Sequence, residues 1–216
     1  MKNLAIYGAG GFGKEVACLI DRINKACDEP LWNLIGFFDD GKPKGSQISH
    51  YGIVLGDLED LNRWSGHLDI AVAIGNPNTI SSIVKGITNS SISYPNLIDP
   101  NFKVADPKSF NIGQGNIIQG SCFASCDVTI GNFNVLNGSV VLGHDVTIGD
   151  CNVLMPAVRI SGEVVIDSHN MFGINSVVLQ QLRIGKHVTV GAGSVLMTRP
   201  KDEGLYIGVP AKRFKI

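Results

Sequence analysis

Ile130-Gly131-Asn132-Phe133-Asn134-Val135-Leu136-Asn137-Gly138-Ser139-Val140-Val141-Leu142-Gly143-His144-Asp145-Val146-Thr147-Ile148-Gly149 contains its own repeat. Ile130, Leu136, Leu142 and Ile148 stand six apart, and Ile130-Gly131 returns as Ile148-Gly149 after eighteen residues. The six-residue step runs on in both directions. Ile112, Ile118 and Ala124 precede this stretch, and Leu154, Ile160, Ile166, Phe172, Val178, Ile184, Val190 and Leu196 follow it, all of them apolar. Four residues further on in each hexad, from Asn116 through Val146 to Ser194, no position is charged or aromatic. A unit of six cannot bury its own apolar side chain and must stack on its neighbours. Three hexads then make one coil of eighteen residues, a triangle whose corners are expected to need small residues or glycine. Asn116, Asn134, Asn152 and Asn170 share the longer step, so their amides are expected to form one ladder along the axis.

Charge is distributed to match. The 216 residues are 17% charged, with a net charge of −1 and 26 glycines. Between Ile112 and Leu196 the only charged residues are Asp127, Asp145, Asp150, Arg159, Glu163, Asp167, Arg183 and Lys186. The rest of the chain is more than twice as dense in charge, and such a shift marks a change of architecture. A near-neutral chain lacks the basic surface of a nucleic-acid binder. No apolar run is long enough to span a bilayer. Five cysteines, an odd number without a CxxC pair, fit a reducing compartment better than a disulfide or zinc framework. Met1 to Tyr7 leads straight into glycines without a signal-peptide cleavage region, and a cytoplasmic location is expected.

Before the repeat the pattern is strand and helix in alternation. Leu4-Ala5-Ile6-Tyr7 reads as a strand, Gly8-Ala9-Gly10-Gly11-Phe12-Gly13 as a turn, and residues 14–25 as a helix with Val16, Leu19, Ile20 and Ile23 on one stripe. Two more apolar runs end at Asp39-Asp40 and at Gly75-Asn76. This predicts a small Rossmann-like parallel sheet over residues 1–94, with ligands at the strand ends. A parallel β-helix over residues 95–216 follows, the proline-bearing stretch from Tyr94 to Pro100 being the joint. Gly8, Gly10 and Gly13 make the GxGxxG of dinucleotide folds. The lobe, however, is too short for two mononucleotide halves and better suits one nucleotide diphosphate. Its phosphates would meet the N–H groups of Gly10, Gly11 and Phe12 at the helix N-terminus, with Asp39 and Asp40 as acceptors for base, ribose or amine.

Among five histidines, His144 stands out. It follows an inward Leu142 by two positions, has Asp145 beside it, and has Gly143 before it to keep the surface open. The six- and eighteen-residue pattern resembles that of the hexapeptide-repeat acyltransferases, and acyl transfer from a thioester needs a base for the acceptor's proton and a donor for the oxyanion. A neutral imidazole oriented by a carboxylate suits the first role. One coil on, the unshielded N–H of Gly162 suits the second. His169 and His187, eighteen apart, are expected to stack as a solvated ladder and not to bind a metal; no metal site is expected elsewhere. No cysteine or serine adjoins His144 in sequence to form an acyl-enzyme.

The whole pattern resembles the hexapeptide-repeat sugar O- and N-acetyltransferases, which join a small nucleotide-binding lobe to a left-handed parallel β-helix. The matching segments run nearly end to end: residues 6–13, Phe37-Phe38-Asp39-Asp40, Ala73-Ile74-Gly75-Asn76, Gly143-His144-Asp145, residues 172–176 and Gly208-Val209-Pro210-Ala211-Lys212. The resemblance implies left-handedness and transfer of acetyl from acetyl-CoA to an amino group of a nucleotide-linked amino sugar, for a surface glycan. It implies His144 as general base supported by Asp145, and direct attack in a ternary complex. Gly75, Asn76 and Asn137 would contact the acceptor. Acetyl-CoA would lie against Gly162, Ile174 and Ala192, with a C-terminal tail at Lys212, in a groove between subunits of a homotrimer. Three positions depart from the family pattern. Phe12 stands where members carry His, Ile80 where they carry Arg, and Val153 where a second His contacts the acyl-CoA. The first two remove polar groups near the acceptor, so an O-acetyltransferase of sialic acid or another sugar remains a rival. An NAD-dependent oxidoreductase and a non-catalytic scaffold are more distant ones.

Overall fold

The computed structural model describes residues 1–214. It divides into two compact units, Met1–Pro100 and a second beginning at Asn101, so that the division falls on the last residue of the proline-bearing stretch.

In the first unit the strands are Lys2–Tyr7 (β1), Trp32–Phe38 (β2), Val54–Gly56 (β3), Leu68–Val72 (β4) and Ile92–Ser93 (β5), and the helices Gly11–Ala26 (α1), Leu58–Asn62 (α2) and Pro77–Gly86 (α3). The strands form one parallel sheet in the order β3-β2-β1-β4-β5. Central β1 is apolar throughout its second half, and Leu4, Ala5 and Ile6 are completely buried. Helix α1 buries the expected stripe of Val16, Leu19, Ile20 and Ile23. The strand order reverses between β1 and β4, which makes the carboxyl ends of those two strands the switch point where α/β sheets bind ligands. Beyond it the second half is cut short, since β5 has only two residues.

The second unit winds in two-residue strands on three faces. One face runs Lys103–Val104, Phe123–Ala124, Val141–Leu142, Arg159–Ile160, Val177–Val178, Val195–Leu196; the next runs Asn111–Ile112, Thr129–Ile130, Thr147–Ile148, Val165–Ile166, Arg183–Ile184. The third includes Ile117–Ile118, Val135–Leu136, Val153–Leu154, Met171–Phe172, Thr189–Val190 and Leu205–Ile207, closed by the antiparallel Lys212–Phe214. Ile130 pairs with Ile148 and Leu142 with Ile160, parallel and in register, so the eighteen-residue step is the height of one coil. From Ile118 to Leu196 every inward hexad position is at most 2% exposed. Each of these side chains larger than Ala124 contributes about 1.5–3 kcal/mol relative to leaving it in water.

The asparagine ladder is present. Asn116 Oδ1 accepts from the backbone N–H and Nδ2 of Asn134 at 2.8 and 3.1 Å; Asn134 serves Asn152 alike, and Asn152 serves Asn170 at 2.9 and 3.0 Å. The N–H of Val188 ends the column on Asn170 Oδ1 at 2.7 Å. All four asparagines are wholly buried, where an amide without partners would be costly.

The corners correct one expectation. Every sixth residue from Ser121 to His187 has φ between 54° and 64°, and none of them is glycine. The column includes Phe133, Glu163, His169 and Gln181 as well as small residues. A left-handed residue costs about 1–2 kcal/mol, and here a fixed backbone bond offsets it. From Phe133 to His187 the N–H of each corner residue donates to the carbonyl nineteen residues earlier, as Glu163 does to His144 at 2.8 Å and Asp145 to Cys126 at 3.0 Å, while that of Asp127 donates to the Ser109 hydroxyl at 2.8 Å. The column admits side chains of different size, from Ala157 to His169, and at Phe133 the ring is buried over Gly115. Glycine is required instead where two coils touch. A Cβ on Gly143 would lie 2.6 Å from the amide nitrogen of Gly162, and one on Gly131 would lie 2.7 Å from the carbonyl oxygen of Gly149.

Candidate active site

His144 and Asp145 occupy one corner of the β-helix, directly after the strand Val141–Leu142. Inward Leu142 anchors that strand, and the left-handed backbone at Asp145, φ 57°, turns the chain outward. Both side chains are exposed, and His144 Nδ1 lies 2.8 Å from Asp145 Oδ2. A carboxylate only accepts, so Nδ1 carries the proton, and in the neutral form of the ring Nε2 then presents a lone pair. That nitrogen faces Gly162 in the following coil: a Cβ there would collide with Nε2 and stand 2.6 Å from Cε1. Gly143, expected to keep the surface open, instead lets the backbone at Ser161-Gly162 approach, and this brings Gly162 under the imidazole.

Other expected residues of this unit lie in distinct places. Asn137 is 8% exposed, and its Nδ2 contacts Met155 Sδ at 3.7 Å. Ile174 and Ala192 fall one coil apart on another corner. The carbonyl of Ile174 accepts from Gly193 N–H at 2.9 Å, and Ile174 exposes half its surface. A Cβ on Gly173 would lie 2.5 Å from the amide nitrogen of Ala192, repeating the Gly143–Gly162 contact there. Lys212 is exposed in the terminal hairpin opposite Ile207. Val153 is fully buried and offers no contact surface. His169 and His187 stack as expected, rings 5.0 Å apart and 9° from parallel. Among the described residues no group of three or more His, Cys, Asp and Glu is placed to hold a metal ion. One neighbour went unnoticed in the sequence. Cys126 holds the same corner as His144 one coil earlier, findable by stepping back eighteen residues; the imidazole, however, leans toward Gly162 in the other direction.

The glycine loop of the first unit lies at the switch point. Gly8, with φ 108°, packs so that a Cβ would meet the Ala73 carbonyl oxygen at 2.6 Å, and a Cβ on Gly13 would run into the Gly8 carbonyl. These two glycines are needed for packing. Gly10, Gly11 and Gly75 would meet nothing within 4 Å, so their backbones are open to a ligand. Gly10 caps α1 without a side chain, and no acidic residue lies in the first turn, so this helix end has donors and positive potential to offer. Phe12 is half-buried in that turn.

Asp39 and Asp40 hold this loop. Asp39 accepts from the N–H groups of Ala9 at 2.7 Å and Gly41 at 2.9 Å; Asp40 accepts from the Tyr7 hydroxyl at 2.7 Å and from Leu58 N–H at 3.0 Å. Each carboxylate oxygen thus has a partner within the lobe, with one lone pair to spare. Burial above all, and then the Asp40 carboxylate, push the Tyr7 phenol far above its ordinary value. Asn76, expected at the acceptor, caps α3, its Oδ1 accepting from the N–H groups of Asn78 and Thr79 at 3.0 and 3.1 Å. A separate cavity of about 420 Å³, lined by Cys18, Asp21, Asn24, Leu34, His50 and Tyr51 among others, shares no residue with the glycine loop.

A parallel β-helix preceded by a short α/β lobe, with a His–Asp couple on one corner, is the arrangement of the hexapeptide-repeat acetyltransferases, whose β-helix is left-handed, and the chain is similar to solved members of that class. Residues 3–87 match the PglD N-terminal domain. The acetyltransferase domain of PglB from Neisseria gonorrhoeae FA1090, solved with acetyl coenzyme A, is 29% identical over 99% of both chains, with a TM-score of 0.87. A mutant of perosamine N-acetyltransferase from Caulobacter crescentus, solved with CoA and GDP-perosamine, is 26% identical over 100% of this chain and 98% of that one, TM-score 0.86. WeeI from Acinetobacter baumannii AYE shares the fold, with a TM-score of 0.86 at 24% identity over 99% of this chain and 100% of that one. No curated protein matches the chain significantly. Over its whole length the chain is thus similar to sugar acetyltransferases, and its first 87 residues carry the match to the PglD N-terminal domain.

Proposed function

We propose that this protein transfers the acetyl group of acetyl-CoA to the amino group of a nucleotide-linked amino sugar. The observation that carries the reading is the His144–Asp145 couple, Nδ1 to Oδ2 at 2.8 Å, with Nε2 turned toward the open backbone of Gly162. It is supported by two similar proteins, one solved with acetyl-CoA and one with CoA and GDP-perosamine.

In this reading the amine attacks the thioester carbonyl while His144 Nε2 takes its proton, and Asp145 steadies the imidazolium. The Gly162 N–H stabilises the oxyanion. The tetrahedral intermediate then collapses, expelling the CoA thiolate, which recovers the proton from His144. No covalent enzyme intermediate forms. The nucleotide's phosphates bind the N–H groups of Gly10, Gly11 and Phe12, with Gly75 and Asn76 on the other side of the switch point and Asp39 and Asp40 holding the loop. Asn137 contacts the acceptor, and acetyl-CoA lies along Gly162, Ile174 and Ala192 with Lys212 near its end. Residues 1–94 serve as the nucleotide-sugar lobe and 95–216 as the transferase. The groove is completed by a second copy in a homotrimer, and the reaction takes place in the cytoplasm on a precursor of a surface glycan. No described helix is long and apolar enough to cross a membrane.

The test is thiol release from acetyl-CoA with a panel of UDP-, dTDP- and GDP-linked 4-amino sugars. One or more should be acetylated to an alkali-stable amide. His144→Ala should lower kcat by about 10²-fold or more. Wild-type turnover without His144 overturns the mechanism, and an alkali-labile product moves the assignment to a hydroxyl.

A further inference from the structure

Two glycines flank the His144 corner, and the structure distinguishes what each is for. A Cβ on Gly143 would strike backbone: the amide nitrogen of Gly162 at 2.6 Å and the carbonyl carbon of Ser161 at 2.8 Å. Neither can yield without separating two coils. A Cβ on Gly162 would strike only the far edge of the His144 ring, colliding with Nε2 and lying 2.6 Å from Cε1 and 2.9 Å from Cδ2. A ring at the end of a half-exposed side chain yields easily. Among the described residues the ring is tied by the 2.8 Å bond from Nδ1 to Asp145 Oδ2, and it cannot swing off residue 162 without bending that bond.

We infer that Gly162 is a positioning residue for the general base: by having no side chain it seats the imidazole, and so keeps Nδ1 on Asp145 and Nε2 aimed at the reacting amine. This rests on the reading of His144 as the base and adds to it. The N–H of Gly162 would serve any residue placed there, so the requirement for glycine comes from the ring and not from the oxyanion. The contact also explains why the couple can stand on an exposed corner, where a salt-screened ion pair alone is worth little. Asp145 sets the rotation of the ring at one edge, and the Gly162 backbone limits its tilt at the other.

Gly162→Ala is the test, read in three ways. In the imidazole ¹⁵N spectrum of His144 the wild type should show one tautomer, protonated at Nδ1. The variant should show exchange between tautomers, with melting temperature and CoA affinity near wild type. With a nucleotide amino sugar as acceptor, kcat should fall by about 10²-fold while the KM for acetyl-CoA moves less than about threefold. Combined with His144→Ala, the Gly162→Ala change should remove nothing further, because it acts through the ring. An unchanged His144 spectrum overturns the inference. So does a loss of CoA affinity that matches the loss of kcat, since Gly162 would then be only a cosubstrate contact. If His144→Ala remains active, the base reading itself fails, whatever the Gly162 spectrum shows.

Discussion

Asp145 Oδ2 reaches Nδ1 of His144, its immediate neighbour in the chain, at 2.8 Å, and does so from a left-handed backbone position at φ 57°. Consecutive residues in a strand point to opposite faces; here the corner turns the second back beside the first. The same conformation recurs at every corner, so the couple needs no special loop, only His and Asp at the right phase of the repeat.

Asp145→Asn tests the carboxylate without disturbing the corner, because asparagine also tolerates the left-handed region. Melting temperature should stay within a few degrees. The kcat should fall by about ten- to a hundredfold, the amide being free to present its N–H₂ to Nδ1 and stabilise the wrong tautomer. A kcat equal to wild type would leave Asp145 as a corner residue with no part in the chemistry.

Replacing a middle rung of the asparagine column should be far more damaging than changing a corner. Asn134→Ala leaves the Asn152 N–H and Nδ2 without their acceptor and removes the 2.8 Å bond from Asn134 Nδ2 to the Gly149 carbonyl. Two or more buried groups lose partners at about 1–3 kcal/mol each. Denaturant unfolding should register a loss of about 3 kcal/mol or more. A loss below 1 kcal/mol would mean that water enters the coil.

Much of this architecture was legible because both periods are integers. A six-residue apolar step and an eighteen-residue step in Asn and Ile-Gly define faces, coils and register directly, and Ile130 opposite Ile148 follows from them. The corners were misread because their conformation is supported by a backbone bond to the previous coil, Asp145 N–H to the Cys126 carbonyl, which admits residues as different as Ser139, Glu163 and His169. Glycine is dispensable along the corner column from Ser121 to His187, and the coil-to-coil contact of Gly143 with Gly162 is where it is required. In the N-terminal lobe the acidic ends of β2 were legible as a site. Their partners, Tyr7, Ala9, Gly41 and Leu58, come from four separated places in the chain and leave no periodic trace.

Tyr7 makes the lobe sensitive to alkali. The phenol is held protonated in the fold by burial first and by Asp40 and Asp39 second, whereas in the unfolded chain it ionises near 10.0. Its contribution is therefore fully present below pH 10 and is lost as pH rises above it, at about 1.4 kcal/mol per pH unit for one proton. Half-buried Tyr94, its phenol raised by desolvation, acts in the same direction. Tyr7→Phe should make the alkaline decline of stability shallower by one proton, as read from urea unfolding at pH 9, 10 and 11. An unaltered slope would show that Tyr7 ionises freely in the fold.

Arg22 on α1 binds Asp99 through Nε at 2.7 Å, and the Asp99 side chain is 1% exposed. Arg22→Ala leaves a buried carboxylate with its guanidinium partner gone, a change that costs about 3–5 kcal/mol. The double change Arg22→Leu with Asp99→Leu should recover most of that loss, since an apolar pair of similar volume carries no desolvation cost. Chemical denaturation of the three proteins measures both, and an Arg22→Ala variant as stable as wild type would remove the pair from the lobe's stability.

The glycine loop offers a last separation of fold from function. Gly13→Ala should unfold the start of α1, because the new methyl runs into the Gly8 carbonyl. Gly11→Ala should leave the melting temperature level or higher, since nothing lies within 4 Å and alanine favours a helix. That same methyl projects into the space above the N–H groups of Gly11 and Phe12, where a phosphate would sit. Titration of UDP, dTDP and GDP by calorimetry should therefore show at least one bound by wild type and weakened by about tenfold, or 1.4 kcal/mol, in Gly11→Ala. Equal binding by both proteins would move the nucleotide away from the end of α1, and with it the reason for an open loop at the switch point.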